Sequence, residues 1–595
     1  MATAAERQTE WARLVIDSFV RAGVDDAVIS PGSRSTPFVI AALRHEGLRC
    51  ISAFDERSGA HYGLGQARGT LRPSLLLCTS GSAAANYYPA VLEASEAGVP
   101  LIVLSADRPP ELHQCGANQT TDQVGLFGKH VRFFANLGEP REDLRSLRAA
   151  RRLVAQAVSE ATGVRPGPVH INAQARKPLE PALVSDEFRK IVDAVLDEPL
   201  TQVLRARPLE PTLVEHVSPL VIDAVVEALD AARRPVILCG PADARSALFV
   251  DAVTELSERA AAPVLAETTS QFRCWSQTRA LGAFDTIWRT DAGRSSLAPD
   301  FVLQLGAAPI SKGWEELSAQ APIRRMVVHP WAWADPTSDA EAIIQADIGS
   351  FLAALSGADL DLEHRDASFP TRFARAEALV WETAEQVLAE QGDSLTEALA
   401  VRASFDALPN PSAVVLGNSL PIRDAETWVP PCDKLLVVHS QRGLSGIDGV
   451  VSGAAGVASC VDGPTTLVVG DVSFLHDLNG LQLASRVEGP LVIVVINNGG
   501  GRIFEQLPIA HDGDESWLSF FTTPHDADLA SAAAIHGCAH QRVSTVTELR
   551  RGLAEAYAAA DGCTVVEAVV PPQSAFEQSS ELRSRIGRAL LQEVP

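Results

Sequence analysis

Two short polar clusters in the last third of the chain have the residue types and spacing for metal and phosphate chemistry. Gly470-Asp471-Val472-Ser473 follows the apolar run from Thr465 to Val469, and Asn497-Asn498-Gly499-Gly500-Gly501 follows the run from Leu491 to Ile496. Runs of that length, rich in Val and Ile, read as buried parallel strands. The polar residues therefore fall on loops at strand carboxyl ends, where open α/β sheets bind ligands. Asp471 and Asn498 are 27 residues apart, room for one helix (about Ser473 to Arg486) and a return strand. A carboxylate, an amide oxygen and a backbone carbonyl on adjacent loops suit Mg²⁺, which takes few protein oxygens and fills its shell with water and phosphate oxygens. The nearby glycines let backbone N–H groups approach those phosphates. Asp and Asn are also common in ordinary turns; the paired spacing is what favours a metal–diphosphate site.

Such a site needs parallel sheets to hold it, and strand–helix alternation occurs three times. Residues 9 to 173 open with a helix that Thr9 caps and Gly23 ends. Strands are expected at 24–30, 48–54, 74–79, 99–106 and 168–173. The first four lead into Pro31-Gly32-Ser33-Arg34-Ser35, Asp55-Glu56-Arg57, Ser80-Gly81-Ser82 and Asp107-Arg108-Pro109-Pro110. A stretch from about 176 to 212, punctuated by Pro178, Pro181, Pro199, Pro208 and Pro211, reads as a linker. A second unit has strand runs at 235–240, 263–267, 301–306 and 325–329. A second linker near 356–369 and a helical stretch to about 408 lead into a third unit, with strands at 413–417, 434–439, 465–469, 491–496 and 564–570. The expected fold is three doubly wound α/β domains with parallel sheets, spanning 1–180, 212–355 and 380–595.

Bulk properties narrow the function. A chain of 595 residues has length for several domains. The net charge of −24 argues against a nucleic-acid partner, and any anionic substrate then needs locally placed Arg or Lys. Nine scattered cysteines without a Cys-x-x-Cys pair fit a reducing cytoplasm better than a disulfide scaffold or a zinc ribbon. No run approaches the ~18 apolar residues of a membrane span, and the start of the chain does not read as a signal peptide. A cytoplasmic location is expected. Gly63-Leu-Gly-Gln-Ala-Arg-Gly69 has its third glycine one residue late for a dinucleotide fingerprint and reads as helix. His536-Gly-Cys-Ala-His540 has metal-like spacing, but Gly537 and the lack of a carboxylate neighbour favour an ordinary helix end. The middle-domain arginines Arg273, Arg279 and Arg289 read as exposed surface side chains.

Gly-Asp followed by Asn-Asn at this spacing resembles the thiamine diphosphate (ThDP) motif of the decarboxylase and synthase superfamily. Six stretches sharpen the likeness: Ser30 to Pro37; Ser105 to Leu112 with Gly116 to Thr120; Asn418 to Asp424; Arg442 to Gly449; Gly470 to Asn479; and Asn497 to Pro508. Together they are similar to the 2-succinyl-5-enolpyruvyl-6-hydroxy-3-cyclohexene-1-carboxylate (SEPHCHC) synthase family of menaquinone biosynthesis. The likeness covers the first and third domains in order and is loose in the middle one.

The resemblance implies a pyrimidine-binding domain, a middle domain and a diphosphate-binding domain. Asp471, Asn498 and the carbonyl of Gly500 would hold Mg²⁺ or Mn²⁺ against the diphosphate, with Gly470 and Ser473 beside it. Ile447 would support the bent cofactor, and Glu56 would polarise its aminopyrimidine ring. A carboxylate that shares a proton with a ring nitrogen is best held in a dry site with a raised pKa. Glu56 is implied to lie on the loop after its strand and to face the diphosphate domain of a neighbouring subunit. That implies a homo-oligomer, a dimer or a dimer of dimers. A Glu in the first turn of a helix, favoured by the dipole, is the plain alternative for this residue.

The implied substrates are 2-oxoglutarate and isochorismate, both carrying two carboxylates. The first loses CO₂ and the resulting succinyl carbanion adds to the second. Ser33, Arg34, Arg108, Gln119, Lys312, Ser419, Arg423 and Arg442 are implied to line the pocket. Of these, Ser33, Arg34, Gln119, Ser419, Arg423 and Arg442 would join Glu56 in catalysis. Lys312 is followed by Gly313, where some relatives carry an arginine. Arginine forks bind carboxylates bidentately, and Arg34, Arg108, Arg423 and Arg442 each fall on a strand-end loop. Four of them in so acidic a chain read as an anion pocket. Apolar side chains such as Ile447, Leu444 and Phe504 would exclude water. A monoanionic substrate would not need so many arginines, which argues against a simple 2-oxo-acid decarboxylase. Retention of Glu56 argues against a non-catalytic metabolite-binding homologue.

Overall fold

Apolar strand runs build three parallel sheets in the computed structural model, which describes residues 2–203, 217–242, 247–275, 278–320, 322–507, 510, 515–559 and 562–593. The first sheet contains β1 (Asp26–Ile29), β2 (Arg49–Ser52), β3 (Ser74–Cys78), β4 (Leu101–Asp107), β5 (Phe133–Gly138) and β6 (Pro168–Gln174), in the order β2-β1-β3-β4-β6-β5. The second contains β7 (Pro235–Cys239), β8 (Val264–Ala266), β9 (Phe301–Leu305), β10 (Arg324–His329) and β11 (Ala342–Gln345), in the order β11-β10-β9-β7-β8. The third contains β12 (Ser412–Leu416), β13 (Leu436–Ser440), β14 (Thr465–Gly470), β15 (Pro490–Asn497), β16 (Ala539–Val543) and β17 (Gly562–Val569), in the order β13-β12-β14-β15-β17-β16. Neighbouring strands run parallel in all three sheets. No helix of the described residues is long and apolar enough to cross a membrane.

The first and third sheets share one winding order. In each, the first strand lies between the second and the third, so the winding reverses there, and ligands bind beyond the strand ends at such a point. The loops after β1 and β3 meet at one reversal; those after β12 and β14 meet at the other. Register carries this further. Gly470 at the end of β14 pairs with Ile496 near the end of β15, so Asp471 and Asn498 leave the sheet side by side.

Two glycine-bearing helices join the first and third layers. Helix Glu56–Thr70 packs on helix Val450–Ala458 within one shared apolar core. A Cβ on Gly65 would stand 2.0 Å from the Gly453 carbonyl oxygen, and one on Gly456 would stand 2.0 Å from that of Tyr62. The rejected dinucleotide-like glycines thus lie in a helix, as expected, and allow this close crossing.

Several expected elements differ. The first helix spans Ala4–Arg21 and is capped by Thr3 in a capping box with Glu6, while Thr9 sits inside it. Part of the expected linker is the helix Asp186–Asp197, whose Phe188, Val192, Val195 and Leu196 pack on the first sheet's core. Residues 204–216, with Pro208 and Pro211, lie outside the described residues, as does Pro508. The single helix expected after Asp471 is broken into Asp471–His476, a turn at Leu478–Gly480 and Leu481–Ala484. Strands β5, β11 and β16 escape the apolar-run criterion because each is a half-exposed edge strand of mixed polarity. His536 does end a helix, while His540 lies on β16.

The helix crossing yields a prediction. Gly65→Ala drives a methyl into the Gly453 carbonyl, and overpacking of this kind costs about 1–3 kcal/mol. Denaturant unfolding is expected to show the loss as a lower midpoint; an unaltered midpoint would mean that the two helices separate freely.

Candidate active site

Asp471 is the fixed point of the third layer's reversal. Its side chain is 2% exposed. Oδ2 accepts from Gly499 N–H at 2.8 Å and Gly500 N–H at 3.0 Å, and Oδ1 from Val472 N–H at 2.6 Å. His525 Nε2 stands 3.4 Å from Oδ2. Burial pushes the carboxyl up, and the backbone amides and the His525 charge pull against it. Gly500 has φ +146°, and a Cβ there would meet the Thr522 carbonyl oxygen at 2.5 Å, so this loop needs glycine. The Gly500 carbonyl accepts from Arg502 N–H at 2.9 Å and keeps a second lone pair.

Asn498 is also buried. Its Nδ2 donates to Glu397 Oε1 at 2.5 Å, and its Oδ1 is buried with no hydrogen-bond partner. An orphaned amide oxygen beside an amide-anchored carboxylate fits a hard cation that needs few protein oxygens. Among the described residues no group of three His, Cys, Asp or Glu side chains could hold a metal by itself. Gly470 ends β14, and Ser473 is buried in the short helix Asp471–His476 that follows. Sequence reasoning missed Glu397, which opens helix Glu397–Ala407 and belongs to no motif. Burial, then the Asp471 charge, pushes its carboxyl up to about 7.

Two pairs of arginines stand beyond strand carboxyl ends, Arg34 and Arg108 after β1 and β4, Arg423 and Arg442 after β12 and β13. Arg34, on the short helical turn Ser33–Ser35, is 7% exposed and donates through Nη1 to the Ala175 carbonyl at 2.7 Å. Arg108 Nη1 donates to Ser80 Oγ, and Gln119 Nε2 donates to the Ser80 carbonyl at 3.1 Å. Burial lowers the Arg34 pKa, and the charge of Arg108 lowers it further. Ser33 is exposed at the same turn. On the third layer, Ser419 precedes helix Leu420–Trp428 with φ +73°, and Arg423 Nη1 donates to its carbonyl at 2.6 Å. Arg442 Nη1 donates to Asn418 Oδ1 at 3.3 Å. Burial lowers the Arg442 pKa, followed by the charge of Arg423, which places these two together as well. Among the described residues none of the four makes an ion pair.

Asn418 also donates through Nδ2 to the carbonyls of Gln441 at 2.9 Å and Gly446 at 2.7 Å. It thereby pins the loop that carries Ile447, which is half-buried. Leu444 is 52% exposed and Phe504 packs on Phe521 with the rings tilted by 50°, so one chain alone does not make these side chains a dry wall.

The middle layer clamps the Arg423 helix. Arg273 is fully buried; its Nη1 donates to Glu426 Oε2 at 2.6 Å and its Nη2 to the Glu426 carbonyl at 3.0 Å. Thr268 N–H donates to Glu426 Oε1 at 2.6 Å. Arg273 is therefore structural, contrary to the surface reading, whereas Arg279 does lie on the surface, paired with Glu258. Lys312 is not gathered into the pocket of this chain. It is exposed on the first turn of helix Lys312–Gln320, paired with Glu315 at 3.0 Å. A Cβ on Gly313 would stand 2.4 Å from the Asp285 carbonyl oxygen, so the backbone there leaves no room for a side chain.

Glu56 is the first residue of helix Glu56–Thr70, capped by Asp55, so the helix first-turn geometry holds and the loop position does not. Its carboxylate is half-buried near Cys78 and Tyr87. Among the described residues it has no hydrogen-bond or ion-pair partner. Its helix start also meets the third layer of the same chain: Arg57 Nη2 donates to the His476 carbonyl at 2.8 Å, and Asn479 Nδ2 donates to Asp55 Oδ2 at 2.7 Å.

This fold and site define a thiamine pyrophosphate enzyme. Residues 9–126 match the thiamine pyrophosphate enzyme N-terminal TPP binding domain, and residues 431–568 match the C-terminal TPP binding domain. A solved structure of a protein isolated from Mycobacterium smegmatis has the same fold, superposing with a TM-score of 0.68 at 20% identity and covering 94% of this chain and 99% of that one. More particularly, the chain belongs to the 2-succinyl-5-enolpyruvyl-6-hydroxy-3-cyclohexene-1-carboxylate synthase family. Relatives of that name are 43% identical in Sorangium cellulosum (97% of this chain, 95% of the relative) and 41% in Geobacillus kaustophilus (95% of each). Another, from Halorubrum lacusprofundi, is 38% identical over 99% of both chains.

The middle-layer clamp is open to test. Arg273→Met leaves Glu426 buried without its cationic partner, a loss of about 3–5 kcal/mol when one partner of a buried pair is removed. Denaturant unfolding should show a markedly lower midpoint; a shift within about 0.5 kcal/mol, the usual surface effect, would place the clamp outside the stabilising core.

Proposed function

We propose that this protein is a ThDP- and Mg²⁺- or Mn²⁺-dependent SEPHCHC synthase. It would decarboxylate 2-oxoglutarate and join the succinyl carbanion to isochorismate, with release of CO₂, in menaquinone biosynthesis. The observation that carries the reading is the four arginines beyond strand carboxyl ends of the first and third sheets, all without a carboxylate partner among the described residues, in a chain of charge −24. Arg34 and Arg108 are buried, Arg442 is half-buried and Arg423 is exposed; cations that the protein leaves unpaired await anions, and two dicarboxylate substrates supply them.

Bound ThDP supplies the electron sink that lets a 2-oxo acid lose CO₂ and react as a carbanion. Asp471, Asn498 and the Gly500 carbonyl hold the metal, and Gly470 and Ser473 lie beside the diphosphate. Ile447 supports the cofactor, and Glu56 shares a proton with its pyrimidine ring. Arg34 and Arg108, with Ser33 and Gln119, orient one set of carboxylates. Arg423 and Arg442, with Ser419, orient the other. Lys312 would join them from the middle layer after its Glu315 pair opens. A second copy of the chain completes the site, in a dimer or a dimer of dimers. The half-buried Glu56 and the exposed Leu444 support this, since each lacks the cover that the chemistry needs. The location is cytoplasmic.

The deciding experiment is turnover with ThDP, Mg²⁺ and 2-oxoglutarate, with and without isochorismate, with products read by mass. An isochorismate-dependent succinyl adduct formed with release of CO₂ supports the proposal. CO₂ without adduct points to a plain 2-oxo-acid decarboxylase, and bound ThDP without turnover to a non-catalytic homologue. Glu56→Gln is expected to bind ThDP while losing about 10²–10⁴-fold in turnover, the range for a positioned acid–base group; near-normal turnover would remove it from the proton relay. Arg423→Ala is expected to weaken substrate use by about 1.5–3 kcal/mol, the value of a charged hydrogen bond, and to spare ThDP binding. Unchanged steady-state kinetics would exclude it from the pocket.

A further inference from the structure

We propose that Glu397 is a positioning residue for the metal-binding amide: its carboxylate holds Asn498 so that Oδ1 faces the cation. The inference rests on the reading of Asp471, Asn498 and Gly500 as the cation-holding set. Glu397 is 1% exposed, and its Oε1 accepts from Asn498 Nδ2 at 2.5 Å. A carboxylate accepts from the –NH₂ end of an amide and repels its oxygen. The bond therefore decides which end of Asn498 faces which way. Oδ1 is left turned away, buried and unpartnered, and an unfilled acceptor of this kind costs about 1–3 kcal/mol. A cation relieves that cost.

Glu397 is itself braced. Its backbone N–H donates to Ser574 Oγ at 3.3 Å, and Ser574 Oγ donates to the Pro571 carbonyl at 3.0 Å. The segment after β17 thus fixes the carboxylate, and the carboxylate fixes the amide. Among the described residues no Lys, Arg or His bonds Glu397. Its carboxyl lies near that of Asp471, and a divalent cation there would balance the charge that the two acids carry. Partners of metal-ligating groups are typically worth about 10–100-fold in metal affinity.

The test is Mg²⁺-dependent ThDP binding to the full-length protein, read by calorimetry. Glu397→Ala releases the amide and is expected to weaken that binding by about 10–100-fold. Glu397→Gln keeps an acceptor oxygen for Asn498 Nδ2 and should restore most of the affinity. Glu397→Met fills the same volume without an acceptor and carries the alanine expectation should the alanine variant fail to fold. Because Glu397 acts through Asn498, Glu397→Ala combined with Asn498→Ala should bind no more weakly than Asn498→Ala alone. In turnover, the half-saturating Mg²⁺ should rise far more than the rate at saturating Mg²⁺ falls. Unchanged affinity in Glu397→Ala, equal losses in the Ala and Gln variants, or additive losses in the double variant would overturn the assignment. A wild-type protein that binds ThDP no better with Mg²⁺ than without would instead overturn the cation-site reading beneath it.

Discussion

The Asp471 carboxylate, held by the N–H groups of Gly499 and Gly500, is the contact on which the site depends. It ties the loop after β14 to the loop after β15, next to the place where the third sheet reverses its winding. Everything near it follows from keeping those two loops in register. The Gly470 to Ile496 pairing brings them level, and glycine at 500 lets the backbone pass under the Thr522 carbonyl. Asn498 is left facing the same space with an unfilled oxygen. Burial raises the carboxyl of Asp471 and that of Glu397 behind it. An enclosed pair of acids with an orphaned acceptor is a place where a divalent cation is electrostatically favoured.

Charge distribution explains the rest of the pocket. A chain with 24 more acidic than basic residues repels anions at long range. Local cations must overcome that, and they do so only if the protein's own carboxylates leave them free. Arg34, Arg108, Arg423 and Arg442 meet that condition, while Arg273, Arg279 and Lys312 are paired with Glu426, Glu258 and Glu315. The buried Arg273–Glu426 pair serves a different end. It fastens the helix that carries Arg423 to the middle layer.

Sequence alone determined the three parallel α/β units, the strand-end loops and the residue types that belong on them, because long Val- and Ile-rich runs followed by polar clusters allow few other readings. It also carried the family, through motifs spread over the first and third units. Tertiary structure decided what local pattern cannot encode. Edge strands β5, β11 and β16 form because a sheet offers them a neighbour, though their own residues are mixed in polarity. Glu56 became the first residue of a helix because Asp55 caps it. Lys312 remained outside the pocket because its helix start faces solvent. Glu397 has no motif, and its contact with Asn498 spans 101 residues of chain, a distance over which only the packed fold can bring a carboxylate to an amide.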